Sequence, residues 1–352
     1  MPAVQSGKVL VSGANGYVAC WVIKSLLEQG YSVRGTVRSE SKGAYTRKLF
    51  ASYRDRFELV IVEDMCKEGA FDDAVKDVDG VQHIASAPVC WDANNPNDMI
   101  YQSMVPGVVS MLQSILHYGT RVKRVVITSS TTAVKDVPPS TTERVFTEEN
   151  FNYSAIRELE QKGANTDPLV KYAAGKTLAE LAAWELYEAE KRKGLYWDMV
   201  VIAPPFIFGP PLHHQGGPET LKVPMNGWYK HVLGGDVEYV PWTAATGGGD
   251  WVDVRDLSDA HVLVMQEEAT GGHRFIISAG QFTWNDWIET VRRVSGSDNL
   301  PHEVDKPGYP IYLSKLDVSK VQRVLGASQY RDMEACTRAL LDFFERKGWW
   351  ES

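Results

Sequence analysis

The sequence predicts an α/β chain: a doubly wound parallel sheet with helices on both faces, followed by a smaller α+β part. Three observations carry this. Short apolar runs at 8–12, 32–37, 58–62, 81–85, 124–128 and 198–203 alternate with helical segments, and such alternation implies parallel strands joined by crossover helices. The first run leads directly into a glycine-rich turn and then a helix. Five runs end at Gly13, Arg38, Asp64, Ala85 and Ser130, and ligands of open α/β sheets bind beyond the carboxyl ends of the strands.

The turn reads Gly13-Ala14-Asn15-Gly16-Tyr17-Val18-Ala19, and a helix is expected over 20–29, closed by Gly30. The first two glycines permit a tight turn and let backbone amides approach a pyrophosphate at the helix N-terminus. Ala19 stands at the third position, where a small side chain still lets helix and strand pack closely. This is a Rossmann-type dinucleotide fingerprint. The second strand ends at Arg38, twenty-five residues after Gly13. Sites preferring NAD place an acid near this point, whereas an arginine accommodates a 2′-phosphate. Arg38 and Lys42 therefore predict NADPH/NADP+, with Glu40 the one nearby acid that would weaken the preference.

After the strand at 58–62 comes Glu63-Asp64-Met65, then an expected helix over 70–75 and the strand 81–85, followed by Ser86-Ala87-Pro88. A long helix is expected over 98–118, and the strand 124–128 ends in Ser129-Ser130. Residues 131–167 are polar and punctuated, with Pro138-Pro139, and read as a loop with a short helix. A helix over 168–192 and a strand over 198–203 precede Pro204-Pro205-Phe206-Ile207-Phe208-Gly209-Pro210-Pro211, which cannot continue a central strand. The domain change is placed there, with 1–204 binding the dinucleotide and 205–352 mainly the substrate. The segment near 251–270 is expected to pack back on the first domain. Further helices are expected over 254–266, 284–294, 318–325 and 333–347, and a strand over 274–278.

Composition bounds the function. A net charge of −8 over 352 residues, with no basic stripe, argues against nucleic acid. No run of eighteen apolar residues exists and residues 1–8 lack the sections of a signal peptide, so a cytoplasmic chain without a membrane partner is expected. Cys20, Cys66, Cys90 and Cys336 form no CxxC pair, and His213-His214 has no third ligand nearby, so no metal is expected and the histidines read as surface loop.

The chemistry is concentrated at Tyr172-Ala173-Ala174-Gly175-Lys176. Residues four apart share a helix face, and a fixed ammonium beside a phenol lowers its pKa and makes it a usable general acid. With fifteen tyrosines in the chain the spacing alone means little. Tyr187 and Lys191 repeat it and read as a solvated helix face. What separates Tyr172 is the upstream glycine turn and the Thr128-Ser129-Ser130 strand end.

With those three motifs in this order the chain resembles the extended short-chain dehydrogenases/reductases. More narrowly, it is similar to the fungal and yeast NADPH-dependent aldehyde, ketone and methylglyoxal reductases and the plant dihydroflavonol 4-reductases. Val33-Arg34-Gly35-Thr36-Val37-Arg38, Val62-Glu63-Asp64-Met65 and Trp251-Val252-Asp253-Val254-Arg255-Asp256 extend the resemblance over most of 7–345. It implies a carbonyl reductase with Ser130, rather than Ser129, polarising the carbonyl, Tyr172 donating the proton and Lys176 assisting it. Cofactor contacts are implied for Gly13, Asn15, Gly16, Tyr17, Val18, Arg38, Lys42, Asp64, Met65, Ala85, Ser86, Tyr172, Lys176 and Pro205. The asparagine of the wider superfamily's proton relay is missing from the long helix, which has only Asn97 at its start and carries Pro106-Gly107. Trp91, Phe206, Trp228 and Trp242, with Tyr229, are candidates to line an apolar pocket for a small carbonyl substrate, in a monomer or homodimer. A sugar-nucleotide epimerase or dehydratase and an NADP-sensing regulator remain alternatives of the same fold.

Overall fold

The computed structural model describes residues 3–86, 100–137, 142–221, 223–234, 247–297, 300–301, 313–326 and 330–351. Its main sheet contains β1 (Lys8–Val11), β2 (Ser32–Val37), β3 (Phe57–Ile61), β4 (Gly80–His83), β5 (Arg124–Thr128), β7 (Asp198–Ala203) and β10 (Arg274–Ile276). The strand order is β3-β2-β1-β4-β5-β7-β10 and every pairing is parallel. The order reverses between β1 and β4, which leaves a crevice beyond their carboxyl ends.

The inner strands β1, β4, β5 and β7 are buried almost throughout, while the edge strand β3 keeps part of its surface exposed. One face is covered by α1 (Tyr17–Glu28), with Val22, Ile23 and Leu26 joining Val9, Val11 and Val33 in one core. Leu257, Ala260 and Val264 of a later helix (Val254–Gln266, α7 below) complete that layer. The other face is covered by α3 (Ile100–Tyr118) and α5 (Pro168–Lys191), through Val108, Met111, Ile115, Ala183 and Tyr187. Gly35 lies on β2 where a Cβ would come within 2.6 Å of the Ala14 methyl. A glycine there lets the turn after β1 lie close against the neighbouring strand.

Between β5 and β7 the chain forms β6 (Arg144–Phe146), which pairs in parallel with β12 (Ser314–Leu316), and α4 (Tyr153–Lys162), capped by the Asn152 side chain. Beyond β7 lies a second sheet in the order β11-β9-β8, from β8 (Phe206–Phe208), β9 (Gly248–Asp253) and β11 (Gly280–Thr283). Around it pack α6 (Val223–Trp228), α8 (Trp284–Ser295) and α10 (Met333–Lys347), while α7 (Val254–Gln266) rejoins the main sheet and α9 (Ser319–Leu325) follows β12. The chain is back at the main sheet as far as Ile276, further than the 251–270 segment expected above. Among the described residues no helix is long and apolar enough to cross a membrane.

Several local expectations change. Residues 68–77 form successive turns rather than a helix. Gly69 and Asp77 take positive φ values of 73° and 58° at the two ends, which interrupts helical hydrogen bonding. The first helix starts at Tyr17, three residues earlier than the expected 20–29. A helix at Glu40–Leu49, α2, follows Arg38, where none was expected. Tyr187 is 1% exposed, packed on Trp184 and Trp197, so its pairing with Lys191 belongs to the core edge and not to a solvated face. Trp91, Trp242, Cys90, Asn97 and Pro138-Pro139 lie outside the described residues.

Two buried polar units stiffen the main sheet. Arg124 on β5 forms a two-pronged bond with Asp198 on β7 at 2.6 and 2.8 Å and also donates to the carbonyls of Val264 and Glu267. Removing one partner leaves a buried charge. Arg124→Leu should therefore cost about 3–5 kcal/mol in denaturant unfolding, and Arg124→Leu/Asp198→Leu less than the sum of the singles; additive losses would contradict the pairing. Against the same sheet, His261 of α7 bonds Gln82 of β4 at 2.7 Å, and burial pushes the histidine pKa down to about 3. The ring is neutral in the folded chain, while an unfolded histidine takes a proton below about 6.5. Stability is therefore full above that pH and should fall by about 1.4 kcal/mol per pH unit below it from this group. Denaturant midpoints at pH 7.5 and 5.5 test this, with His261→Gln expected to flatten the difference.

Candidate active site

The predicted residues gather along the carboxyl edge of the main sheet. Gly13 follows β1 with φ +68°, a conformation that strongly favours glycine. A Cβ there would lie 3.2 Å from that of Ala85, after β4. Gly16 N–H donates to Gly13 O at 2.8 Å and closes the turn. Gly16 is also the N-cap of α1, no side chain caps that end, and the first turn carries no acid. Asn15, Tyr17 and Val18 thus occupy a helix start whose backbone N–H groups and dipole suit an anion. The Tyr17 side chain turns away from this role: its hydroxyl donates to Gly209 O at 2.6 Å and the residue is buried.

Arg38 follows β2 and Lys42 lies in the first turn of α2; both are exposed and neither pairs with a carboxylate among the described residues. Glu40, the acid expected to weaken them, is bonded to Arg47 at 2.9 Å. The cationic pair is left available to a phosphate. Asp64, after β3, uses one carboxylate oxygen to accept the Cys66 N–H at 2.9 Å in a local turn. Met65 packs on α3 beside Gly107, where a Cβ would lie 3.1 Å from its methyl. Ala85 N–H donates to the Ser12 hydroxyl at 2.9 Å, Ile84 N–H does so at 3.0 Å, and Ser86 follows on the surface. An uncapped helix start, a glycine turn and two free cations fit an NADP(H) dinucleotide.

Ser130 lies near enough to the Tyr172 phenol to pull its pKa down. The Ser130 oxygen accepts from the Thr132 N–H at 3.2 Å and from the Thr132 hydroxyl at 3.0 Å. Those two bonds occupy its lone pairs and leave its own proton to be donated. Ser129 has a different fate: its hydroxyl donates to buried Glu180 at 2.5 Å. Lys176, one turn after Tyr172 on α5, is 7% exposed and donates to Thr128 O at 3.2 Å.

Electrostatically the site differs from the sequence expectation. Burial pushes the Tyr172 phenol up to about 12, with Ser130 pulling it back only in part. Burial likewise brings Lys176 down to about 8, against a smaller opposing pull from Glu180. The expected lowering of the phenol by the ammonium is not what acts there: each charged form loses its water, and Ser130 is the group that pulls the phenol down. His83, which no sequence motif singles out, lies at the end of β4 bonded to Ser12 at 3.1 Å; burial first and Lys176 second bring its pKa down to about 4. Its only signal in the sequence is its place at a strand end.

Of the proposed pocket wall, Phe206 is half-buried and packs on Phe208 and Phe282, directly after half-buried Pro205. Trp228 does not belong to that wall. It is 0% exposed, held between Trp287 and Phe344 in the second core, and cannot line a pocket. Tyr229 packs on Phe344 and donates to Trp349 O at 2.8 Å, away from the sheet edge. Aromatic richness here reflects packing. His213 is buried rather than a surface residue, and His214 is exposed. Among the described residues no three His, Cys, Asp or Glu side chains gather as a metal site.

Known proteins share this arrangement. Aldehyde reductase 2 of Sporidiobolus salmonicolor is 32% identical over 340 residues, covering 95% of this chain and 94% of that protein. The NADPH-dependent methylglyoxal reductase GRE2 of Saccharomyces cerevisiae is 30% identical over 332 residues, covering 90% and 92%. The crystal structure of the yeast methylglyoxal/isovaleraldehyde reductase Gre2 complexed with NADPH superposes with a TM-score of 0.82 at 28% identity, covering 97% of this chain and 100% of that one. The model of the NAD dependent epimerase/dehydratase family matches residues 9–280. With the glycine turn, the strand-end serines and the Tyr172–Lys176 helix on one sheet edge, the chain belongs to that family, among the extended short-chain dehydrogenases/reductases.

Proposed function

We propose that this chain is an NADPH-dependent carbonyl reductase that converts small aldehydes and ketones, including aryl ketones, keto esters and dicarbonyls, to alcohols. The observation that carries the reading is that Ser130, after β5, lies beside Tyr172 of α5 at the sheet edge, with Lys176 one helical turn away. The named reductases among its relatives support it. Residues 1–204, joined by 254–276, form the cofactor half in this reading, and the second sheet with its helices the substrate half. The chain works in the cytoplasm.

The residues divide the work. Gly13, Asn15, Gly16 and Val18 hold the pyrophosphate through backbone N–H groups, and Arg38 and Lys42 the 2′-phosphate. Asp64 and Met65 border the adenine, Ala85 and Ser86 the middle of the cofactor, and Pro205 the nicotinamide side. When bound, NADPH supplies the hydride. Tyr172, kept protonated at neutral pH by its burial, gives its proton to the carbonyl oxygen. Ser130 donates a hydrogen bond to the same carbonyl oxygen, polarising it and stabilising the charge that builds there. Lys176 adds its charge to that stabilisation. Phe206 borders the substrate, and its apolar ring favours an aryl or alkyl group over a sugar. An epimerase, which retains its NAD, would want an acid where Arg38 stands.

Two outcomes are expected. Tyr172→Phe should lower kcat for NADPH-dependent reduction of methylglyoxal or an aromatic ketone by about 10²–10⁴-fold while NADPH binding, followed by fluorescence titration, stays within about twofold. Undiminished turnover would reject the proton-donor role. Arg38→Ala/Lys42→Ala should reduce the preference for NADPH over NADH, read as the ratio of kcat/KM, by about tenfold or more; an unchanged ratio would place the 2′-phosphate elsewhere.

A further inference from the structure

The segment 209–217, rich in glycine, proline and histidine, is fastened at both ends of a path across the cofactor side of the molecule. Tyr17 Oη donates to Gly209 O at 2.6 Å and Trp21 Nε1 to Pro210 O at 2.9 Å, which clamps its start to the first two turns of α1. The His213 ring lies 5.5 Å from that of Tyr17, and His213 pairs with Gln215 at 2.7 Å. Gln215 accepts from the Thr220 hydroxyl at 3.2 Å, which braces the segment from within. His214 then reaches a different helix. Its ring lies 5.2 Å from that of Tyr45 on α2.

Tyr45 lies three residues after Lys42, on the same helix face. A single strap thus runs from the N-terminal turns of α1, which open from the glycine turn, to the face of α2 that carries Lys42. The tilted contact with Tyr45 brings the His214 imidazole to the helix face that carries Lys42, and His214 is exposed. An imidazole carries at least one N–H in either tautomer.

We propose that the strap crosses the adenosine half of the cofactor and that His214 donates an N–H to its 2′-phosphate beside Arg38 and Lys42. The inference rests on the reading that those two residues hold that phosphate. Tyr45 acts as a positioning residue through the imidazole. Tyr17 and Trp21 anchor the other end, which ties the strap to the helix whose N-terminus faces the pyrophosphate.

Calorimetric binding of NADP+, NAD+ and adenosine 2′-monophosphate to the full chain tests this without turnover, in the parent, His214→Ala, His214→Gln and Arg38→Ala. His214→Ala should weaken NADP+ and adenosine 2′-monophosphate by about tenfold and leave NAD+ within about twofold. His214→Gln, which keeps an N–H donor, should recover most of that loss. An equal loss for NADP+ and NAD+ would show that the strap only packs on the adenosine and would overturn the phosphate contact. No loss with His214→Ala, while Arg38→Ala weakens NADP+ alone, would overturn the role of His214 and spare that of Arg38. If Arg38→Ala leaves NADP+ and NAD+ alike, the 2′-phosphate reading fails and this inference falls with it.

Discussion

The arrangement of the site depends on one buried ion pair, Glu180 with Arg274. Their side chains are 1% and 4% accessible and meet at 2.6 Å. Glu180 lies on α5, four residues after Lys176 and eight after Tyr172, so the three share a helix face. It accepts the Ser129 hydroxyl at 2.5 Å and the Trp184 indole N–H at 3.2 Å. Arg274, on the edge strand β10, donates onward to the carbonyls of Glu148, Asn150 and Ala133 and lies 4.2 Å over the Phe151 ring. One pair therefore joins the Tyr172 helix, the Ser129-Ser130 strand end and the segment leading to α4. Dehydrating two charges costs several kcal/mol each, and here the cost is offset by bonds to both Glu180 oxygens and both Arg274 Nη atoms.

Burial also dictates the electrostatics. Tyr172, Lys176 and His83 all shift toward their neutral forms, and desolvation is the leading cause in each. Spacing along a helix tells which groups are neighbours, but says nothing of how much water they keep. For that reason Tyr172 and Lys176 stand one helical turn apart as the spacing implies, yet loss of water sets the titration of both.

The second sheet obeys a different constraint. Phe208, Trp228, Trp251, Phe282, Trp287 and Phe344 interlock in edge-to-face and tilted contacts with ring centroids 4.9–6.2 Å apart. Such rings bury large areas and their packing carries most of the stability of a small layer. Trp228 is consumed by this core. Phe206, at the end of the same strand as Phe208, keeps part of its surface and remains the described aromatic closest in sequence to Pro205.

The main sheet, its helices and the cofactor edge were legible because their signals are local. Apolar runs mark strands, glycines mark the turn after β1, and Arg38 ends a strand whose bounds, Ser32–Val37, were readable residue by residue. The glycine turn, the strand-end serines and the Tyr172–Lys176 spacing each lie within a few residues, so backbone periodicity brings their members together. What local patterning could not resolve depends on contacts between distant residues. Glu180 and Arg274 are 94 positions apart, and the choice between Ser129 and Ser130 turns on that pair. The fate of Trp228 turns on Trp287 and Phe344, and the clamping of Gly209 and His214 on Tyr17 and Tyr45. Burial is a property of the packed whole. It alone separates a tyrosine in the core from one at a site, and it decides which charges survive there.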